Sequence, residues 1–487
     1  MGGGEGPEQK GDDVVTETLD FNEIVKVSLQ NMRERLPSYT RYQDYYEGRH
    51  ELAFATDKFK SAFDYLFKEL AINFCPAVVQ AFKDRLKVKR FDVEEGQEPI
   101  GEKAWEIWNR NRMDKRSKEV HQEALTKGDG FVLVWPGEDG RAVIYPQSAD
   151  SFVVRYDDEN PFVVAWAVKL FFTFDKHLRL NLYTADGIYK FISKDQVFGL
   201  LPSDASAFQV YDPEPFVPNP YGVVPVFHFA NQGRTGKYGK SELHDVKPVQ
   251  DALNKTVADM LVGMEFVALP QRYVTGLQVE IDEVTGKPKP PFEPGVDRIW
   301  AVESDEVKFG EFAQAQLAPF IEVKTDFVLD IARITGIPLH YLLLGSGQFP
   351  SGDALQVAEA KFANRIEDMQ QAFGNVWEDV LRFALLVEGV KGDVQLRAEW
   401  FEASPVSKLE RYTAFKMKRD ALGLPVEQLQ REDGYTDQEI EEFTKLREAE
   451  MKRMQQFGPQ GAIQGKGQQP GEQNNATGEK TKAAPAK

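Results

Sequence analysis

Hydrophobic positions change their spacing twice along the chain, and these changes separate helical from extended regions. Over residues 21–92, apolar residues recur every three or four positions, which is typical of amphipathic helices. Pro76 is expected to interrupt the second of these helices, Ala62–Phe82, and Gly48 follows aromatic residues at what we interpret as a helix end. A further helix is predicted over Glu102–Lys127.

After Gly128 the period shortens to two, which indicates strands. Short runs rich in Val, Phe and Tyr are separated by turn pairs such as Asp139-Gly140 and Asp186-Gly187. We therefore predict a mostly antiparallel sheet over about residues 130–230. Its strands are expected at Phe131–Trp135, Ala142–Tyr145, Ser151–Tyr156, Val163–Phe174, Arg179–Thr184, Ile188–Ile192 and Val223–Phe229.

Two further helices flank a proline-rich insert. The first, Ser241–Leu269, carries one apolar stripe and has Ser241 in position to cap its first turn. Residues 271–312 hold short β-like runs, and a second helix follows over Ala318–Thr335. Such an antiparallel pair with a β tip buries little core alone. It is either an ordinary helical hairpin with an insertion or a stalk that neighbouring subunits cover in a ring.

The last third of the chain begins with a short loop rich in Gly and Pro, Gly345–Gly352. The pattern then predicts a long helix over Asp353–Gly389, an extended segment at 395–403 and charged helices over 405–454. From Gln455 onward almost no large apolar residue occurs, so we predict a disordered tail.

Composition and charge narrow the functional classes. The 487 residues are enough for several domains, and the net charge of −18 argues against a broad basic face that grips nucleic acid. A protein that lets DNA pass without holding it stays possible. The single cysteine, Cys75, excludes an intrachain disulfide and a cysteine-rich zinc site. The N-terminal segment lacks the pattern of a signal peptide and no run is long enough to span a membrane, so we predict a soluble intracellular protein.

The segment Gly233–Ser241 has the setting of a phosphate-binding loop, because it lies between a predicted strand and a predicted helix. Its spacing differs, since five residues rather than four separate Gly233 from the Gly239-Lys240 pair. We therefore favour a flexible basic loop. The alternative, which stays open, is a nucleotide-dependent enzyme or motor subunit that uses a degenerate phosphate loop at 233–241.

Other candidate chemistry is sparse. His228 alternates with phenylalanines in a predicted strand, which favours a sheet residue over a metal ligand. The acidic run Asp157-Asp158-Glu159 lies in a predicted turn, where a solvated turn is favoured over a cation site. Cys75 is expected to be a buried thiol, and no Gly-x-Ser-x-Gly motif occurs. We expect no metal, no cofactor and no catalysis.

Five stretches in a fixed order carry a family resemblance. They are Asp44–His50, Asn73–Phe91, Gly128–Pro136, Gly239–Gln271 and Thr335–Leu385. In this order, spread over about residues 45–435, the chain resembles the portal proteins of tailed double-stranded-DNA bacteriophages, of the siphophage type that infects Gram-positive hosts. The acidic, Gly-rich start and Phe349 in the short loop depart from the family pattern.

The resemblance implies an α+β portal fold with a wing, a helical stem, a small β-containing clip and a helical crown, assembling as a ring. The implied boundaries are a flexible N-terminus at 1–20, the wing at 21–240 and 353–403, stem helices at 241–269 and 318–336, the clip at 270–317, a tunnel loop region at 337–352, crown helices at 404–455 and a disordered tail at 456–487.

The resemblance also implies a function. Twelve subunits would form a ring at one vertex of the capsid, and DNA would enter through it during packaging and leave through it at infection. The implied partners are further copies of the chain, double-stranded DNA read without sequence specificity, the major capsid protein, scaffold, the terminase large subunit and a head–tail adaptor. The chain would not be an enzyme, would contact no membrane, and would be made in the host cytoplasm and end in the virion.

The resemblance implies one group of site residues, the tunnel loop, and we add two groups of candidate cations on the stem and the clip. The tunnel loop that projects into the channel would be Gly345, Ser346, Gly347, Gln348, Phe349, Pro350, Ser351 and Gly352. The stem cations are Lys255, Lys324 and Arg333. We expect them either to face the channel as a sparse basic ring or to form salt bridges with Asp251, Asp259, Asp326 or Asp330 of another subunit. The clip cations are Arg272, Lys287 and Lys289. They either dock the packaging motor and the adaptor or are ordinary surface charges.

Overall fold

The computed structural model describes residues 20–49, 57, 72–94, 96–268, 272–276, 281, 286, 306–311, 316–343, 352–392, 394–403, 408–433, 435 and 437–456. The chain divides into two compact units, Met1–Pro405 and Val406–Lys487. The first unit contains the sheets and the helical hairpin, and the second is helical.

The N-terminal helices follow the predicted spacing. Helix α1 spans Phe21–Tyr46, and the carboxylate of Asp20 caps it by accepting the Asn22 N–H at 2.9 Å. Helix α2 spans Cys75–Lys83 and has Pro76 in its first turn. Pro76 therefore begins this helix rather than interrupting one, because a first-turn residue has no intrahelical N–H bond to lose. Residues 62–71 of the predicted helix lie outside the described residues.

The predicted helix over Glu102–Lys127 is wrong in one respect, since it is two helices. Helix α3 spans Glu98–Arg110 and helix α4 spans Met113–Lys127. Arg112 between them has a left-handed backbone with φ of 54°. Helix α4 ends at Gly128, as predicted, with φ of 99°. A Cβ there would lie 3.0 Å from the backbone of the segment before the hairpin, so the position requires glycine.

The helical prediction for residues up to 92 is wrong at its end. Strand β1, Val88–Val93, pairs antiparallel with a strand near residue 400, Leu396–Trp400. The latter falls in the segment that we predicted to be extended, 395–403. The partners are separated by about 300 positions in sequence, so no local pattern announces the pairing.

The predicted antiparallel region is confirmed, but it forms two sheets. The three-stranded sheet has the order β10-β2-β3, and the six-stranded sheet has the order β4-β5-β6-β7-β8 with β9 paired to β7. The strands are β2 Asp129–Pro136, β3 Ala142–Gln147, β4 Phe152–Tyr156, β5 Val164–Phe172, β6 His177–Tyr183, β7 Gly187–Gln196, β8 Phe208–Val210, β9 Phe216–Pro218 and β10 Val226–Ala230.

The hairpin and the long helix complete the first unit. Helix α5 spans Lys247–Ala268, strand β11 Arg272–Thr275, strand β12 Lys308–Glu311, helix α6 Ala318–Thr335 and helix α7 Gly352–Val387, and Leu396–Trp400 is β13. Helix α6 has its predicted bounds, whereas α5 begins at Lys247 rather than Ser241. The Ser241 hydroxyl instead accepts the Leu243 N–H at 3.0 Å and donates to the Thr126 carbonyl.

The largest core lies where α7 crosses the three-stranded sheet and helices α2 to α4. Its centre is aromatic: the rings of Trp108 and Trp377 lie 5.0 Å apart, edge to face, and those of Phe229 and Trp377 lie 4.6 Å apart. A second core forms where Val25 and Leu29 of α1 pack on the six-stranded sheet. Both sheets are therefore covered by helices, which fixes the base of the hairpin.

The second unit is made of helices. These are α8 Lys408–Leu422, α9 Val426–Asp433 and α10 Asp437–Gln456, with Leu429 and Ile440 buried. Arg447 of α10 pairs with Glu427 of α9 at 2.9 Å. Together the two units mix helices with antiparallel sheets, which confirms the predicted α+β class.

Candidate functional site: the helical hairpin and its anchors

Helices α5 and α6 pack along each other, and the apolar side chains that they bury among the described residues lie near their base. There Leu253 and Val257 of α5 and Val328 and Ile331 of α6 join the largest core. Further from the base, Met264, Ile321 and Val323 are 46%, 59% and 42% exposed. The outer part of the hairpin thus presents these three apolar side chains to solvent.

The base of α5 is fixed by side chains that bond to other elements. The Gln250 amide donates to the Ile72 carbonyl at 2.7 Å and accepts the Phe74 N–H at 2.9 Å. The Tyr45 hydroxyl donates to the Asp251 carboxylate at 2.5 Å. Both α5 residues are buried. Because these bonds join α5 to the end of α1 and the start of α2, the hairpin leaves the body at a fixed angle.

One arginine joins the start of the hairpin to its end. Arg365 on α7 donates to the Thr335 carbonyl at the end of α6 and, at 2.5 Å, to the buried Glu242 carboxylate ahead of α5. Its guanidinium also lies 4.7 Å from the centre of the Phe82 ring. The Asn231 amide donates to the same Glu242 carboxylate at 3.0 Å. A movement of α7 would therefore act on both ends of the hairpin.

A second cluster holds the two flanks of the predicted tunnel loop. On α7, Glu359 accepts from the Tyr341 hydroxyl at 2.7 Å and lies 3.1 Å from His340 Nε2. Arg85 lies 3.4 Å from the same carboxylate and donates to the Ala403 carbonyl at 2.7 Å. The residues before and after the loop are thus clamped together, while α7 itself begins at Gly352.

A two-stranded ribbon lies between the two helices of the hairpin in the chain. Strands β11 and β12 pair antiparallel, with Tyr273 directly opposite Gly310. A Cβ at Gly310 would overlap the Tyr273 ring, so the ring covers the glycine. Arg272 is the first residue of β11. Lys287 and Lys289 lie outside the described residues, as do residues 345–351 of the tunnel loop.

The three stem cations lie on α5 and α6, and two of them have partners on their own helix. Lys255 forms an ion pair with Asp259, one turn further along α5. Arg333 lies 3.1 Å from Asp330, and both side chains are exposed. Lys324 is half-buried and has no carboxylate partner within the described ranges. The structure therefore does not bring these cations together into one cluster.

The segment 233–241 does not have the geometry of a phosphate loop. The Gly239 N–H donates to the buried Asp129 carboxylate at 2.7 Å, and Lys240 pairs with Asp245 at 2.5 Å. The groups that would face a phosphate are thus occupied by carboxylates. Helix α5 begins only at Lys247, so its N-terminus does not adjoin the loop.

Sequence reasoning missed the network that surrounds Asp129. This carboxylate accepts from the Tyr39 hydroxyl at 2.6 Å and lies 2.8 Å from His228 Nε2. The Tyr156 hydroxyl lies 2.9 Å from the other nitrogen of His228. His228 is in strand β10, as predicted. Burial and the Asp129 carboxylate raise the pKa of Tyr39 well above its usual range. The network joins α1 to both sheets, and its members are too far apart in sequence to show a pattern.

Three further observations concern metal binding, membrane spans and the one cysteine. Within the described ranges, His, Cys, Asp and Glu side chains form no group of three or more that could hold a metal ion. The same ranges contain no helix with the length and apolar character needed to cross a bilayer. Burial raises the pKa of Cys75 to about 12, so its thiol is inert at neutral pH.

The sequence matches a known family over most of its length. The profile of the family described as phage portal protein, SPP1 Gp6-like, covers residues 25–456. Portal proteins of Mycobacterium phages L5 and D29 are each 25% identical over 390 residues, which is 76% of this chain and 77% and 78% of theirs.

Solved structures with a similar arrangement come from particles of gene transfer agents. A chain from the neck of an empty particle, computed with C6 symmetry, is 12% identical with a TM-score of 0.45, covering 77% of this chain and 95% of that one. A chain from the neck of a native particle, computed with C12 symmetry, is 12% identical with a TM-score of 0.44 and covers 77% and 96%. On the family profile, which spans most of the sequence, the chain belongs to the phage portal proteins of the SPP1 Gp6-like family.

Proposed function

We propose that this portal protein is one subunit of a closed ring, with twelve copies as the expected number, that surrounds a channel for double-stranded DNA. DNA would enter the capsid through it during packaging and leave through it at infection. The observation that carries the proposal is the hairpin of α5 and α6, which is anchored at its base and exposes Met264, Ile321 and Val323 further out. Packed side by side in a ring, hairpins of neighbouring copies would cover these side chains.

The parts of the chain take the following proposed roles. Helices α5 and α6 are the stem, the ribbon of β11 and β12 belongs to the clip, and 345–352 is the tunnel loop between the clamped flanks at His340 and Glu359. The second unit supplies the crown. Of the stem cations, Lys324 is the best candidate to face the channel, because Lys255 and Arg333 already pair within their helices.

We assign no catalytic step to this chain, so the energy for packaging would come from a separate terminase. The clip cations Arg272, Lys287 and Lys289 are proposed to dock that motor and the head–tail adaptor. Scaffold and the major capsid protein are the remaining proposed partners. The assembled ring would reside in the virion after synthesis in the host cytoplasm.

The proposal is tested by the mass and shape of the purified full-length protein. Light scattering should give about twelve chain masses, and negative-stain electron microscopy should show an annulus with a central hole at least as wide as a DNA duplex. A compact dimer that binds ATP, and loses that binding in Lys240→Ala, would contradict the proposal and restore the nucleotide-dependent alternative.

A further inference from the structure

An apolar cleft opens between the six-stranded sheet and helix α7. Its volume is about 810 Å³. Its walls include Val163, Val223, Phe227, Val376, Phe383 and Leu386. Val163 and Val223 are about half exposed, and Phe162 beside them is more so. The cleft is therefore open to an apolar side chain from outside.

One edge of the cleft is basic. The loop at 233–237 lines it and carries Arg234 and Lys237, both exposed. Neither has a carboxylate partner in the part of the chain that the structure describes. The opposite wall holds the ion pair of Arg382 and Asp379. On a chain with a net charge of −18, unpaired cations beside an apolar cleft mark a place for an apolar side chain that has a carboxylate next to it.

The same unit presents such a pair of side chains at the turn between β5 and β6. Phe174 is fully exposed, and the next residue, Asp175, is largely exposed. The turn is well ordered by its own bonds: the Thr173 N–H donates to the His177 carbonyl at 2.9 Å, and the Lys176 N–H donates to the Thr173 carbonyl at 3.1 Å. The aromatic ring is therefore held out into solvent by a defined turn rather than by a loose loop.

The cleft and the Phe174 turn lie at opposite ends of strand β5. The cleft is lined at Val163 and Val164, whereas the turn follows Phe172. A strand of this length separates them by about 30 Å at ~3.3 Å per residue. A chain cannot place its own Phe174 in its own cleft, but one copy can place it in the cleft of the next. Contacts of this head-to-tail kind produce rings when the rotation closes.

We propose that the turn at Phe174 of one copy inserts into the cleft of the neighbouring copy, with Asp175 facing Arg234 and Lys237. The partner on this surface is thus a second copy of the chain. Lys176, the next residue of the turn, brings its cation toward Asp379 on the opposite wall. The inference rests on the proposed ring and names the contact that links its subunits at the level of the sheets.

Cysteine cross-linking tests the contact directly. The double variant Phe174→Cys with Val223→Cys should form a ladder of covalent oligomers when the assembled protein is oxidised. Either single variant should remain mainly monomeric on a denaturing gel. Cys75 does not interfere, because it is fully buried and its thiol pKa is about 12. Wild-type rings, seen by electron microscopy, without a ladder in the double variant would overturn this inference and leave the proposed function standing.

A charge exchange tests the electrostatic part. Asp175→Lys and Arg234→Glu should each raise the protein concentration needed for assembly about tenfold or more, since each replaces an attraction by a repulsion in every contact. The double variant Asp175→Lys with Arg234→Glu should recover most of that loss. Asp212→Lys, at an exposed position outside the cleft and the turn, is the matched control and should assemble like wild type.

Two results would count against the contact. If the double charge variant is no better than the single ones while circular dichroism shows them folded, the proposed pairing is wrong. The second result would be that wild type binds a fluorescent DNA duplex, and that the double variant Arg234→Glu with Lys237→Glu loses this binding but assembles normally. The loop at 233–237 would then bind nucleic acid rather than a neighbouring copy. Failure of wild type itself to form rings would instead contradict the proposed function.

Discussion

His121 lies at the centre of the largest core and is held there as a neutral base. Its Nε2 accepts the indole N–H of Trp377 at 2.9 Å, and its ring packs against Phe373 with centres 5.4 Å apart. Burial lowers the pKa of His121 to about 3. Protonation would remove the acceptor and place a charge among aromatic rings, so the folded state excludes the imidazolium form.

This burial predicts a pH dependence of stability. As the pH falls from about 6.5 to about 3, the unfolded chain takes up a proton at this residue and the folded chain does not. The contribution of His121 to the free energy of unfolding is therefore complete above the pKa of the unfolded chain. It is lost on acidification, by up to about 1.4 kcal/mol per pH unit. His121→Gln keeps an acceptor but cannot titrate. Urea unfolding between about pH 5 and 7 should show a shallower decline for the variant, and parallel declines would refute the assignment.

The link between α7 and the hairpin depends on one partly buried ion pair. The Glu242 carboxylate is almost completely buried, and the Arg365 guanidinium is its cationic partner. Removing the arginine alone leaves a buried carboxylate with only the amide donors of Asn231 and Gln232. An uncompensated buried carboxylate lowers the free energy of unfolding far more than the loss of one partner from an ion pair on the surface.

Arg365→Met should therefore lower the free energy of unfolding by about 2–3 kcal/mol, after allowing for the partial exposure of the arginine. Adding Glu242→Gln should restore a good part of it, because the uncompensated charge is removed. Arg333→Met, whose partner Asp330 is exposed, is the control and should change stability by less than about 1 kcal/mol. Equal losses in Arg365→Met and Arg333→Met would mean that the link does not hold the hairpin.

Elements set by local sequence were predictable, whereas those set by distant partners were not. Helix α6 has its predicted bounds because a proline opens it and Gly336, with φ of 73°, closes it. Local spacing favours helix for the segment that forms strand β1, because its partner β13 lies far along the chain. The break at Arg112 carries no glycine or proline to signal it.

The candidate site divides in the same way. The hairpin and its cations could be placed from spacing, because both helices are long and amphipathic. The anchors could not, because Arg365, Glu242 and Thr335 come from three separate segments and none belongs to a motif. The network at Asp129 is hidden for the same reason. Polar contacts between distant segments depend on the finished fold.

At the scale of the whole molecule, charge is the property that bears most on a DNA channel. Twelve copies would together carry a formal charge of about −216. DNA binds proteins through phosphate contacts that release counterions, and its affinity falls with salt in proportion to the number of contacts. A channel wall with few free cations lets DNA slide. Helix α6 carries three carboxylates and two cations, Lys324 and Arg333, and Arg333 is paired with Asp330.

Reversing charge on the stem should turn a sliding surface into a binding one. Glu322 and Asp326 are exposed on α6. If α6 lines the channel, rings of Glu322→Lys with Asp326→Lys should bind a short fluorescent duplex at least tenfold more tightly than wild type, with a steeper decline as salt rises. The matched variant Glu138→Lys with Asp139→Lys makes the same charge change at exposed positions of the turn between β2 and β3. Equal gains in both variants would mean that DNA responds only to net charge, and that this face of α6 does not meet the duplex.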